Sequence, residues 1–159
     1  MTATKVSLTD STLLDTFTWF EKARPNPTKK DFSTQLGVHL EEVGEMLAAL
    51  KGNDHSTTIA LELAIEHLDV LAEKLKANED AVDIENPLEM LDGLCDQIVT
   101  GTGVAFTLGY DLLGAMDEVN RSNFSKFDAD GNPIYNENRK VMKGPNYFKA
   151  DLVPYLPTE

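Results

Sequence analysis

Leu36-Gly37-Val38-His39-Leu40-Glu41-Glu42-Val43-Gly44-Glu45-Met46-Leu47-Ala48-Ala49-Leu50 is the stretch that decides the fold class. Leu36, Leu40, Val43, Leu47 and Leu50 recur at alternating steps of four and three, the spacing that lines one side of an α-helix with apolar groups. Val38, Glu42, Glu45 and Ala49 form a second row at the same kind of spacing, so two acids sit in a row that is otherwise apolar or small. No Lys or Arg occurs between Lys30 and Lys51, and nothing on this helix neutralises them.

Helical spacing continues to either side. A first helix is expected over about 11–22, capped by Asp10 or Ser11 and ended by Pro25-Asn26-Pro27. The second starts near Asp31 and closes at Lys51-Gly52-Asn53-Asp54. A third covers about 56–77, and Pro87 opens a fourth, with Asn86 as its cap, that reaches about Gly109. A fifth spans about 111–126. After Phe127 the cluster Asp128-Ala129-Asp130-Gly131-Asn132-Pro133 makes a turn, and the remainder is extended and rich in tyrosine. The expectation is an all-α, four- to five-helix bundle over about 10–127 with a short irregular tail over about 128–159, all in one domain over 1–159. Gly101, Gly103, Gly109 and Gly114 permit close backbone approach, so dimerisation through the helices is expected as well.

The 159 residues suffice for a core without disulfides. Cys95 is the single cysteine, which excludes an intrachain disulfide and a cysteine-rich zinc site; its apolar neighbours suit a reduced thiol facing the core. With no signal-peptide layout and no apolar run of membrane-spanning length, a cytoplasmic location is expected. A net charge of −13 argues against a nucleic-acid or membrane partner. That charge is uneven: no Lys or Arg lies between Lys76 and Arg121, whereas Arg121, Lys126, Arg139, Lys140, Lys143 and Lys149 crowd the end.

The fourth helix repeats the theme of the second. Leu91, Leu94, Ile98 and Ala105 mark an expected buried side, and Asp92 and Asp96 lie one turn apart in the adjacent row. Gathering several carboxylates in a partly buried place costs several kcal/mol unless a cation compensates. Carboxylates without histidine select a hard ion, Mg2+ or, as the alternative, Mn2+. The third helix carries Glu62, Glu66, Asp69 and Glu73 in a row too, but with Leu61, Ala64, Leu68, Leu71 and Leu75 opposite, which reads as a solvated face.

On the fifth helix the apolar stripe of Leu112, Met116 and Val119 runs on into Asn120, Asn123 and Lys126, polar groups suited to a sugar, a base edge or a phosphate. The plainer reading is a helix end whose Asn and Ser side chains cap locally. None of His39, His55 and His67 follows a glutamate by three residues, which rules out a di-iron pattern. The Asp128 turn lacks the glycine and acid positions of an EF-hand loop.

Taken together, Glu41-Glu42-Val43-Gly44-Glu45, Asp92-Gly93-Leu94-Cys95-Asp96, Glu118-Val119-Asn120-Arg121-Ser122-Asn123-Phe124-Ser125-Lys126 and Lys140-Val141-Met142-Lys143-Gly144-Pro145-Asn146-Tyr147 resemble the MazG-like, phosphoribosyl-ATP-pyrophosphohydrolase-like superfamily. The resemblance spans about 32–152. It implies an all-α homodimer or dimer of dimers that hydrolyses a nucleoside triphosphate, here a deoxynucleotide first, to the monophosphate and pyrophosphate.

By the same resemblance Glu42 and Glu45 are magnesium ligands and Asp96 is the aspartate of a second acidic motif. Gly93 stands where a glutamate is expected, so Asp92 is the substitute ligand, with Glu89 a lesser helper. Asn120 stands where relatives often carry histidine. Glu41 or Glu45 would orient or deprotonate the attacking water, Lys126, Lys143 and Arg121 would meet phosphate oxygens, Asn123 the sugar or base, and Tyr147 would complete the substrate side. The alternatives are a noncatalytic helical nucleotide binder and an acidic interaction protein.

Overall fold

The computed structural model describes residues 12–136 and 140–158, so the expected caps Asp10 and Ser11 lie outside the described residues. It contains the helices α1 (Thr12–Ala23), α2 (Lys29–Ala48), α3 (His55–Ala77), α4 (Pro87–Thr107) and α5 (Leu112–Phe124), followed by a 3-10 turn, Val153–Tyr155. The all-α expectation holds. Among the described residues extended pairing is limited to one antiparallel bridge, Tyr135 with Val141. The chain forms two compact units, one over Asn26–Pro87 and the other from α1 with α4, α5 and the tail.

The Asn26–Pro87 unit is an antiparallel helical hairpin. Its first helix begins two residues before the expected Asp31, because Thr28 and Asp31 form a reciprocal capping box: Asp31 N–H donates to Thr28 Oγ1 at 3.2 Å and Thr28 N–H to Asp31 Oδ2 at 2.9 Å. Asp54 caps α3 by accepting from the backbone and hydroxyl of Thr57 at 2.8 and 2.7 Å. Between the helices, Ala72 and Leu75 are buried. Ser33 is buried opposite them and donates to the Leu75 carbonyl at 2.6 Å. Gly37 exists for contact: a Cβ there would stand 2.8 Å from the Ala72 carbonyl. At the open end Lys29 pairs with Asp80 and Asp83, and Lys30 donates to the Lys76 carbonyl.

In the other unit α1 packs on α5 around aromatic rings. Trp19 stacks on buried Phe127 with centroids 5.9 Å apart, Phe124 meets Phe127 edge-on, and the Trp19 indole N–H donates to the Asn123 carbonyl at 2.9 Å. Buried Asn120 joins the two helices, accepting from Thr16 Oγ1 at 2.9 Å and donating to the Thr12 carbonyl at 2.8 Å.

Helix α4 departs from expectation. Leu91, Leu94 and Ile98 are exposed rather than buried, and so is the Cys95 thiol; Ala105 alone of the expected side is buried. The reason is that α4 packs against neither α1 nor α5. It ends in a Schellman turn, with Tyr110 N–H on the Ala105 carbonyl, Gly109 N–H on the Phe106 carbonyl, and Gly109 in the left-handed region at φ 71°. Among the described residues no single helix is long and apolar enough to cross a membrane.

Candidate functional site

Glu42 and Glu45 stand exposed one turn apart on α2. Neither has a hydrogen-bond or ion-pair partner among the described residues. Glu41, one residue away, differs: half-buried, it accepts from Lys76 Nζ, which also meets Glu73 at 2.7 Å. Those two carboxylates, Glu41 foremost, hold the Lys76 ammonium above the usual lysine range. Gly44 lies between Glu41 and Glu45, and a Cβ there would be 3.6 Å from Asp69 Oδ1. The α3 acids Glu62, Glu66, Asp69 and Glu73 are all exposed, as the expected solvated face requires, with Asp69 the one that approaches α2 at Gly44.

Asp92 and Asp96 are exposed on α4, one turn apart, and their side chains have no partner among the described residues. Around Gly93, where a glutamate is expected, a Cβ would meet nothing within 4 Å. The α2 pair and the α4 pair belong to different compact units. Among the described residues no three His, Cys, Asp or Glu side chains come close enough together to hold a metal ion. Each pair offers two exposed carboxylates, and magnesium commonly binds through one or two carboxylates when its other ligands come from phosphates and water.

The polar continuation of α5 is packed rather than open. Asn123 Oδ1 accepts from Lys126 Nζ at 2.8 Å, and that ammonium lies 5.7 Å from the Trp19 ring centroid. Glu118 and Ser122 on α5 and its C-cap Ser125, none singled out as a site residue in the sequence, fasten the tail. Ser122 Oγ donates to the Phe148 carbonyl at 2.8 Å, Phe148 N–H donates to Ser125 Oγ at 3.1 Å, and Asp151 N–H to Glu118 Oε1 at 3.2 Å. Their steps of four and then three put them on one helical face, and that spacing was the available signal. Gly144 brings the tail onto the end of α5, its N–H donating to the Lys126 carbonyl at 3.0 Å, where a Cβ would be only 2.7 Å from the same oxygen. Lys143 then lies 4.6 Å from the centroid of the Tyr147 ring.

Beside this junction lies an open cleft of about 770 Å³ between α1, α5 and the tail. Asp15, Asp117, Arg121, Phe124 and Phe148 are among the residues that line it. Arg121 Nη1 donates to Glu118 Oε2 at 2.7 Å, and its guanidinium carbon is 5.5 Å from the Phe148 centroid. Glu118 is only 8% exposed, whereas the Arg121 side chain that pairs with it is 70% exposed. Of the expected substrate residues, Arg121 lines the cleft, Asn123 and Lys126 brace α5 against α1, and Lys143 with Tyr147 sits in the tail. No family model, curated protein or solved structure matches the chain.

Proposed function

We propose that this chain is a magnesium-dependent nucleoside triphosphate pyrophosphohydrolase, with manganese as the alternative ion and a deoxynucleotide as the first substrate to consider. The observation that carries the reading is the contrast on α2. Glu41 is neutralised by Lys76, while Glu42 and Glu45 present two unpaired carboxylates on the same helix. A pair left uncompensated in this way suits a hard cation that arrives with its phosphate. Asp92 and Asp96 offer the same arrangement on α4 and are the second candidate pair.

Magnesium bound there would neutralise the triphosphate and acidify a water. In the reaction a water oxygen bonds to the α-phosphorus while the bond from that phosphorus to the α–β bridging oxygen breaks, releasing pyrophosphate. Glu41 is occupied by Lys76, which leaves Glu45 to take the water proton and Glu41 to orient.

The apolar surface of α4 supports a homodimer. Leu91 at 60%, Ile98 at 54% and Phe106 at 82% exposure share one helix, and Gly93, Gly101 and Gly103 have nothing within 4 Å of a Cβ position. A helix that is apolar on most sides is normally covered. The net charge of −13 disfavours an anionic membrane as its cover, and a second copy brings the same apolar row to both sides of a two-fold contact.

The test is pyrophosphate release from a panel of ribo- and deoxynucleoside triphosphates with magnesium. Wild type should release pyrophosphate from at least one of them. Glu42→Gln should abolish turnover with an unchanged far-ultraviolet circular dichroism spectrum. A wild-type protein that releases pyrophosphate from none ends the enzymatic reading; unaltered turnover in Glu42→Gln removes that residue from the site.

A further inference from the structure

The α1–α5–tail cleft has a composition that separates base binding from phosphate binding. Its charged groups are the exposed carboxylates of Asp15 and Asp117 and the Arg121 guanidinium, which the buried Glu118 already neutralises. Three carboxylates stand to the guanidinium and to the Lys22 ammonium, 6.0 Å from the Phe124 centroid, a balance that still disfavours a triphosphate. A cationic amine would satisfy Asp15 and Asp117 but leave the remaining N–H groups of Arg121 without an acceptor. What remains is a neutral, planar group that offers N–H donors to carboxylates and lone pairs to a guanidinium.

We infer that this cleft is a nucleobase site, selective for guanine. Guanine alone among the common bases carries two adjacent N–H groups, at N1 and N2, that match a carboxylate. Its O6 and N7 on another edge match an arginine fork. Arg121 spends one N–H on Glu118 Oε2 and keeps others for such an edge, its guanidinium carbon lying 5.5 Å from the Phe148 centroid. Asp117 and Arg121 lie one turn apart on α5, and Asp15 reaches the same cleft from α1. Phe124 and Phe148 give the cleft its apolar lining, with Arg121 over the Phe148 ring and Lys22 over the Phe124 ring, so a base would lie beside these cation-capped rings. About 770 Å³ is ample for a base and its sugar, which leaves the phosphates to extend beyond the cleft.

This inference rests on the pyrophosphohydrolase reading for its biological sense, yet it is testable without turnover. Wild-type protein labelled with 15N is titrated, without metal, with the four 2′-deoxynucleoside 5′-monophosphates, which share a phosphate and differ in the base. The guanine nucleotide should bind about tenfold or more tightly than the other three. Its shifts should centre on the amides of 117–125 and Phe148. Asp117→Asn, on an exposed side chain, should weaken that binding about tenfold without altering the dispersion of the spectrum. Equal affinity for all four bases, shifts that avoid α5 and Phe148, or binding unchanged in Asp117→Asn would each overturn the guanine site, as would spermidine displacing the nucleotide from these residues. Guanine-selective binding with no pyrophosphate release from any triphosphate keeps this inference and loses the enzymatic one. Hydrolysis with equal kcat/KM for all bases and no selective binding does the reverse.

Discussion

Gly37 and Gly44 lie two turns apart on α2, and the same substitution at each should act in opposite directions. At Gly37 a methyl group would stand 2.8 Å from the Ala72 carbonyl and 2.9 Å from Lys76 Cγ. The carbonyl is backbone and cannot swing aside, so α2 and α3 must part. Overpacking of this kind costs about 1–3 kcal/mol, more than the ~0.5–1 kcal/mol that alanine returns in helix propensity. At Gly44 the methyl group meets only Asp69 Oδ1 at 3.6 Å, an ordinary contact, so Gly44→Ala should stabilise by about 0.5–1 kcal/mol. Urea denaturation of both variants checks the pair, and a stabilised Gly37→Ala would contradict the close approach of α2 to α3. At this scale the unpaired state of Glu42 and Glu45 was legible because no Lys or Arg lies between Lys30, in the first turn of their helix, and Lys51 beyond its end. The pairing of Glu41 with Lys76, 35 positions away, was not, since periodicity describes one helix and says nothing of its neighbour. Buried Asn120 had been read as part of a ligand surface for the same reason: its partners, Thr12 and Thr16, come from the other end of the chain.

Element boundaries followed local chemistry wherever a cap or a proline was present. Pro87 begins α4 where its fixed φ suits a first helical residue, and α3 ends at Ala77 as the apolar spacing required. Helix α2 starts two residues before the expected Asp31 because Thr28 is its cap and Asp31, three positions later, completes the box. The cap of α3 makes a pH prediction. Bonds from the Thr57 backbone, and then from its hydroxyl, hold the Asp54 carboxyl below its usual value of 3.8. A depressed carboxylate contributes stability that is complete above the unfolded value and is lost as pH falls through the folded one. Asp54→Ala should therefore lower Tm near pH 6, and the gap from wild type should close as pH drops below about 4. Thermal melts of both proteins across that range decide it; a gap that persists undiminished into strong acid would mean that the carboxylate charge is not what caps α3.

For the molecule as a whole, the least legible feature was α4. Spacing identified a buried side through Leu91, Leu94 and Ile98, and the single chain leaves all three exposed. Periodicity reports that a face is apolar but not whether the covering surface belongs to the same chain, so the helix was recognised and its partner was not. If a second copy covers it, the cost of disrupting α4 should appear in assembly rather than in folding. Ile98 and Phe106 touch neither α1 nor α5 helices, so a glutamate at either position adds charge to a surface that is already wet in the monomer. Light scattering coupled to size exclusion should give wild type at twice the 17.6 kDa chain mass or a higher even multiple. Ile98→Glu and Phe106→Glu should give the single-chain mass with helicity retained. A wild type of single-chain mass would refute self-association through α4. Variants that remain dimeric would place the contact elsewhere. If the variants become monomers, assaying them for pyrophosphate release extends the test to chemistry, because Asp92 and Asp96 ride on the same helix. Monomers that keep full turnover would show that the contact serves stability alone, whereas loss of turnover together with the dimer would tie the second acidic pair to the assembled state.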